Sequence, residues 1–391
     1  MSSIDACVDF LQRLIRTPSM PGEEREIATL VGREMEALGY DDVQEDAAGN
    51  IIGVVHGSGD APSVMFNTHL DHVDAGDPAD WSHPPFGGEL HEGMIWGRGA
   101  VDIKGPLAAQ VHGVGALIAS GHRPPGDVLV SGVVQEEVGG LGARHMADTL
   151  RPDLVLVGEP SRNELRRGHR GRVELHVRVR GRMAHASMTA LGRNPLTVIG
   201  GFLTTLQGLD LPNDRDLGRA TIAPTLIRTD QTSANVIPGE VVLTLDCRTV
   251  PGQNAETLRG LLLPLLLDSE IDGCTSEIMV PTRGRESYTG FVMVYAPDNP
   301  AHALPADHAA IRTAAEVLAG VLGSLPPVGV WEFATDGGHF AESGLTVVGF
   351  GPGDDRLAHT VSEHIPVRDL ERGLRGNEAL AREWPARFAE A

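Results

Sequence analysis

The chain has 391 residues, of which 41% are hydrophobic and 22% charged, proportions that exclude collagen-like, disordered and membrane-embedded classes. At roughly 150 residues per domain, two or three domains are expected. Basic residues number 32 against 53 acidic ones, a formal charge of −21, which repels nucleic acid and anionic membrane surfaces and favours cations.

The opening segment, MSSIDACVDFLQRLIRTPS, is broken by Asp5, Asp9 and Arg13 and does not read as a secretory signal. Val8, Leu11, Leu14 and Ile15 recur at helical spacing, and a second helix with Ile27, Leu30, Val31, Met35 and Leu38 follows Pro21, Glu23 and Glu24. Short apolar runs at 51–55, 64–66, 128–134 and 154–157, with a helical stretch over 106–118, predict an α/β layer around a buried sheet. From Arg172 the pattern changes: Val173, Leu175, Val177 and Val179 alternate with Arg172, Glu174, His176, Arg178 and Arg180, the mark of a strand with one wet face.

Helices over 194–209 and 255–267 and strands over 221–228 and 240–246 fit a β-α-β-β-α-β unit. The expected fold is therefore a mixed-sheet α/β domain, 1–164 and 284–391, carrying an inserted α+β domain of ferredoxin-like form over 165–283. A helix over 309–322, strands over 328–333 and 346–350, and a helix from Val367 close the chain. No run reaches the roughly 18–20 apolar residues of a membrane span. Cys7, Cys247 and Cys274 are too few and too scattered for a disulfide framework or a thiolate zinc site, so a reducing, cytoplasmic compartment is expected. Lys104 is the single lysine.

Reactive groups in open α/β sheets gather at the carboxyl ends of strands. Five apolar or glycine-rich segments run into polar clusters: His69-Leu70-Asp71, Asp102 within IWGRGAVDIKG, Gln135-Glu136-Glu137, Gly158-Glu159-Pro160, and His359 after VVGFGPGDDRLA. Carboxylates crowded at half-buried positions repel and lose hydration. Two divalent cations would balance Asp102, Glu136, Glu137 and Glu159, and His69 and His359 complete a nitrogen and oxygen set suited to zinc, with manganese or cobalt as alternatives.

With these motifs the chain resembles the di-zinc amidohydrolases that include acetylornithine deacetylase, succinyl-diaminopimelate desuccinylase, aminoacylase and glutamate carboxypeptidase. The likeness spans nearly the whole chain and rests on HLD at 69–71, GRGAVDIKG at 97–105, QEEVGG at 135–140, GEP at 158–160, GRMAHAS at 181–187, NVIPGEV at 235–241 and AHTVSEHIPV at 358–367. It implies that Asp102 bridges two metals, one also held by His69 and Glu159 and the other by Glu137 and His359. It also implies that Asp71 orients His69 and that the Asp102–Ile103 peptide is cis. Glu136 is the expected general acid/base, taking a proton from a water acidified by the two cations and later protonating the leaving amine. His185 is implied to polarise the scissile carbonyl in the other subunit of a homodimer formed through the inserted domain. Asn235 and Arg248 are implied substrate-binding residues, and Gly337 and Gly338 of TDGG resemble a loop whose N–H groups hold a carboxylate, a plain turn being the other reading.

The expected activity is hydrolysis of an amide in an N-acylated amino acid or small peptide, on a small-molecule substrate with neither nucleic acid nor membrane as partner. Arg166, Arg167, Arg170 and Arg193 would suit an acidic substrate if they faced the pocket. A silent metal- or small-molecule-binding protein on the same fold is the alternative, although Glu136 and every ligand are intact. A nucleotide site fails because Asp102 stands at the third glycine position after Gly97 and Gly99, and Gly105 follows Lys104. No G-x-S-x-G supports a serine hydrolase.

Overall fold

Continuous apolar runs make strands covered on both faces. In the computed structural model, which describes residues 3–391, Val128–Val133, Val64–His69 and Leu154–Val157 lie side by side in parallel at the centre of a nine-stranded mixed sheet. Thr346–Gly349 continues the parallel set on one side, while Ile51–Val55 and then Asp42–Glu45 add antiparallel strands on the other. Helices Ser3–Ile15, Arg25–Leu38, Lys104–Ala119, Ala309–Leu322 and Val367–Ala389 pack one face around Phe66, Val130, Leu156, Leu107 and Leu374. Leu141–Thr149 and Gly337–Glu342 pack the other around Met65, Val155, Met146 and Phe340. Lys104–Ala119 is buried almost throughout, which explains its lack of a polar stripe.

The alternating segment is the strand Gly171–Arg180 of a second, antiparallel sheet. Its neighbours are Glu240–Thr249 and Thr275–Met279, with Thr221–Thr229 outside Glu240–Thr249. Placing the first strand between the third and fourth in this way is the ferredoxin-like order expected from the sequence. Helices Pro195–Leu206 and Ala255–Asp268 cover one face over a separate core of Leu175, Val177, Phe202, Leu245 and Leu262. Both start at an asparagine cap, Asn194 accepting from Leu196 and Asn254 from Thr257. Leu165–His169 still belongs to the large sheet, so the chain crosses to the small one at Arg170.

Among the elements the sequence reading passes over are the helix Leu141–Thr149 and the hairpin of Arg283–Glu286 with Val292–Tyr295. The helix has only nine residues, and the hairpin strands are short, so neither displays enough turns or alternations to announce itself. Among the described residues no helix is long and apolar enough to cross a membrane.

Candidate metal centre

The parallel strands end on the same side, and their carboxyl ends supply the site. His69 closes its strand, Glu159 follows Leu154–Val157 by one glycine, and Asp102 stands just before Lys104–Ala119. Glu136 and Glu137 come from a turn beyond Val133, where Gln135 has φ 57° and Gly139 and Gly140 have φ 124° and 74°. A side chain at Gly140 would place its Cβ 2.8 Å from Asp336 Oδ1, so glycine is required there by space as well as by backbone.

Two groups of three side chains converge, His69 with Asp102 and Glu159, and Asp102 with Glu137 and His359. Within each, one ligand atom per residue lies within 4.8 Å of the others. Asp102 joins them through different oxygens, Oδ1 lying 3.1 Å from His69 Nε2 and Oδ2 3.0 Å from His359 Nε2. Glu159 Oε1 is 3.6 Å from His69 Nε2, and Glu137 Oε1 is 3.0 Å from His359 Nε2. The Asp102–Ile103 peptide is cis. His359 is half exposed, whereas His69 is buried, so the centre opens on the His359 side.

Asp71 organises this arrangement from beneath. Its Oδ1 lies 3.3 Å and its main-chain oxygen 3.0 Å from His69 Nδ1; these acceptors hold a proton on Nδ1 and direct Nε2 at Asp102 and Glu159. The same carboxylate accepts the backbone N–H groups of Glu136 and Glu137, each at 3.1 Å.

Three further acids support the site that sequence reasoning did not single out. Glu363 is fully buried, accepts Arg98 Nη1 at 2.5 Å, and accepts the N–H groups of Val101 and Asp102 at 2.9 and 3.0 Å. Glu24 accepts the N–H of Gln135 at 3.2 Å. Asp336 is buried with Oδ1 lacking a hydrogen-bond partner among the described residues. Glu363 and Asp336 lie inside segments the sequence does highlight, AHTVSEHIPV and TDGG, so proximity to His359 and Gly337 was the available signal. Glu24 carried none beyond its place in a first helical turn.

The electrostatics are those of crowded, dehydrated acids. Burial, then the neighbouring Asp336, Glu159 and Glu137 carboxylates, push Glu136 well above the ordinary carboxyl range, with His69 opposing. Burial likewise raises Glu159, reinforced by Asp102. Burial opposes ionisation of Asp102, but hydrogen bonds from His359 and His69 overcome it and hold its pKa below the usual range. Those to Asp102 and Glu137 in turn raise His359 to about 10. Burial lifts Asp336 to about 7. The side chain of Glu136 makes no hydrogen bond among the described residues, leaving it open to a proton.

The remaining predicted residues divide. His185 and Asn235 come together on the small sheet's side, where Ala184–His185 pairs with Val236–Ile237 and Ala186 N–H donates to Asn235 O. His185 is exposed and its Nδ1 accepts from Ser187, while Nε2 has no hydrogen-bond partner among the described residues. Arg248 lines a cleft of about 360 Å³ together with Glu136 and Glu137. Gly337 and Gly338 open a short helix, where the N–H of one donates to Thr335 Oγ1 and that of the other to Thr335 O. Both are buried, and a Cβ at Gly338 would lie 2.3 Å from Pro300 O; packing explains the glycines.

Arg166, Arg167, Arg170 and Arg193 also lie outside that cleft; Arg166 and Arg167 are buried against Glu164 and Asp216. Lys104 is fully buried with Nζ 2.8 Å from Thr17 O, and burial lowers its pKa to about 7. All three cysteines are buried, and burial raises their thiols, Cys247 to about 12, which disqualifies them as nucleophiles.

Two imidazole nitrogens with carboxylate oxygens, three residues to a group and one carboxylate in common, suit a pair of divalent ions with open positions. The signature of peptidase family M20/M25/M40 matches residues 65–383. The chain belongs to that family. An M20 chain is a metal-dependent hydrolase, and the two ligand groups here fit two divalent ions. The chain is 29% identical over 381 residues to succinyl-diaminopimelate desuccinylase of Xanthomonas campestris pv. campestris strain 8004, covering 93% of each chain. It is 29% identical over 361 residues to the Escherichia coli K12 protein YgeY, covering 90% of this chain and 88% of that one. Among solved structures, aminopeptidase PepT of Bacillus cereus ATCC 10987 superposes with a TM-score of 0.77 at 18% identity, covering 98% and 99% of the two chains. Bacillus subtilis YXEP, described as a dinuclear metal binding peptidase of the M20 family, gives 0.73 at 15% identity over 97% and 98%. The mixed α/β fold is thus that of M20 peptidases.

Proposed function

We propose that this chain hydrolyses the amide bond of an N-acylated amino acid or small peptide, with Glu136 as general acid and base. The observation that carries this reading is the pair of ligand groups sharing Asp102, with the unpaired carboxylate of Glu136 beside them. His69, Asp102 and Glu159 would hold one ion and Asp102, Glu137 and His359 the other, zinc being best suited and cobalt or manganese able to replace it. When bound, such ions supply Lewis acidity and make water a nucleophile near neutral pH.

Glu136 then accepts a proton from the water that adds to the amide carbonyl and delivers it to the departing amine. Asp71 keeps the ring of His69 and the backbone of Glu136 in fixed relation, so ligand and base share one support. Arg248, on the wall of the same cleft, would hold the substrate carboxylate, and Asn235 would contact substrate beside His185.

The same reading makes residues 165–283 a dimerisation unit and lid. The outer side of Thr221–Thr229 pairs with no strand among the described residues, and Leu226 and Ile227 on it are about half exposed; such an edge suits a second copy of the chain. His185, exposed and with Nε2 unengaged among the described residues, would polarise the carbonyl in the partner's site. Three buried thiols accord with a cytoplasmic setting.

The test is a screen of metal-loaded enzyme against N-acetyl, N-succinyl and N-carbamoyl amino acids and dipeptides. Turnover of at least one class is expected, abolished by chelator and restored by zinc, manganese or cobalt. Two bound ions per chain with no turnover of any class would favour the silent binding protein instead.

A further inference from the structure

The cleft beside Glu136 and Glu137 is walled by Arg172, Arg248, Arg283 and Arg285. In a chain of net charge −21, a concentration of guanidinium groups next to the densest cluster of acids calls for a cause. Arg172 and Arg248 face each other directly across two antiparallel strands, a placement of like charges that costs stability. Arg283 and Arg285 lie two residues apart on one strand, so both project to the same side. The two pairs come from different sheets and meet over one cavity.

The carboxylates present neutralise them only in part. Asp246 accepts Arg172 Nε at 2.7 Å and Arg248 Nε at 2.9 Å, and Glu174 accepts Arg283 Nη2 at 2.9 and 3.2 Å. Arg285 forms no ion pair among the described residues. Asp298, also on the wall, is matched by Arg144 at 2.7 Å. Setting aside Glu136 and Glu137, which share the wall and belong to the metal centre, four guanidinium groups meet two carboxylates, and this surplus of positive charge is the arrangement that receives an anion.

We infer that Arg172, Arg283 and Arg285 extend the place of Arg248 into a second anion subsite, so that the preferred substrate carries two carboxylates. This rests on the amide-hydrolase reading above. The second carboxylate belongs either to the acyl group or to the amino-acid side chain, and paired substrates separate the two: N-succinyl-L-alanine against N-succinamyl-L-alanine, and N-acetyl-L-glutamate against N-acetyl-L-glutamine. Wild-type kcat/KM favours the charged member of one pair by about 10-fold or more, and Arg285→Gln reduces that ratio by about 10-fold, the effect of one lost charge-assisted hydrogen bond. Arg283→Gln reduces it too; Arg285, unengaged in ion pairs, is the variant whose folding is not at issue.

Equal rates within both pairs for wild type, or a charge preference that survives both substitutions, overturn the subsite. Should no amide be hydrolysed at all, calorimetric titration of the metal-loaded full chain with glutarate and with glutaramate still reads it, since both carry one carboxylate for the metals and only glutarate a second. Tighter binding of glutarate that disappears in Arg285→Gln upholds the subsite while the hydrolase reading falls; equal binding overturns it.

Discussion

In the large-sheet region charged groups lie inside the molecule: Asp71, Glu24, Glu363 and Lys104 are fully buried, and each is held by backbone or side-chain groups of distant segments. In the small-sheet region they stay on the wet face, Arg180 with Glu240 at 2.9 Å and Arg178 with Glu277 at 3.3 Å, above a core formed of aliphatic and aromatic side chains and two cysteines. The difference teaches where this chain spends stability on chemistry: the first region tolerates dehydrated charge because cations are to enter it, and the second is an ordinary amphipathic layer.

Substitutions break or sharpen that contrast. The largest effect is expected from Glu136→Gln, which should lower turnover by about 10³- to 10⁴-fold while metal content by elemental analysis stays at the wild-type level; an active variant removes Glu136 from the chemistry. Next, Phe202→Ala in the small core should cost about 3–5 kcal/mol in denaturant unfolding yet leave two ions bound per folded chain. Asp71→Asn should weaken metal binding by about 10- to 100-fold in a competition titration, with turnover falling in parallel because the backbone of Glu136 and Glu137 loosens as well.

A pH series on chelator-treated protein probes the buried acids collectively. Burial lifts Glu24, Asp336 and Glu363 to about 7, above their unfolded values, so the folded state holds extra protons between the two. Their contribution is complete below the ordinary carboxyl range and disappears as pH rises to about 7; the melting temperature should therefore be higher at pH 5 than at pH 7, and metal should flatten the difference. The smallest effect is expected on the small sheet's surface, where Arg180→Gln should change stability by less than about 1 kcal/mol. A larger loss would mean that its ion pairs are not merely superficial.

Legibility followed the same division. The strict alternation from Arg172 disclosed the small sheet, its wet face and its neighbours, because one face is buried and the other is not. In the large sheet, runs such as VMFNTH and LVLV marked strands, and the acids at their ends marked the site. What stayed hidden depended on contacts between segments far apart in sequence. Nothing local distinguishes the solvated Glu23 from the buried Glu24, and Lys104 could equally have been a surface side chain. In TDGG, Thr335 accepts both glycine N–H groups, which the four letters alone do not announce. Arginines at 166, 167, 170 and 193 were plausible on composition alone, whereas the cleft is walled by those at 172, 248, 283 and 285, which only the packing of hairpin against sheet brings together.

Glu363 fastens the backbone of Val101 and Asp102 from near the far end of the chain, and His359 arrives from the same segment. During synthesis, which exposes amino-terminal segments first, His69, Asp102, Glu137 and Glu159 must wait until almost all of the polypeptide has been made before their enclosure is complete. Premature termination upstream of residue 359 would therefore leave an acid-lined, half-built chamber without His359 and without the Glu363 support of Asp102.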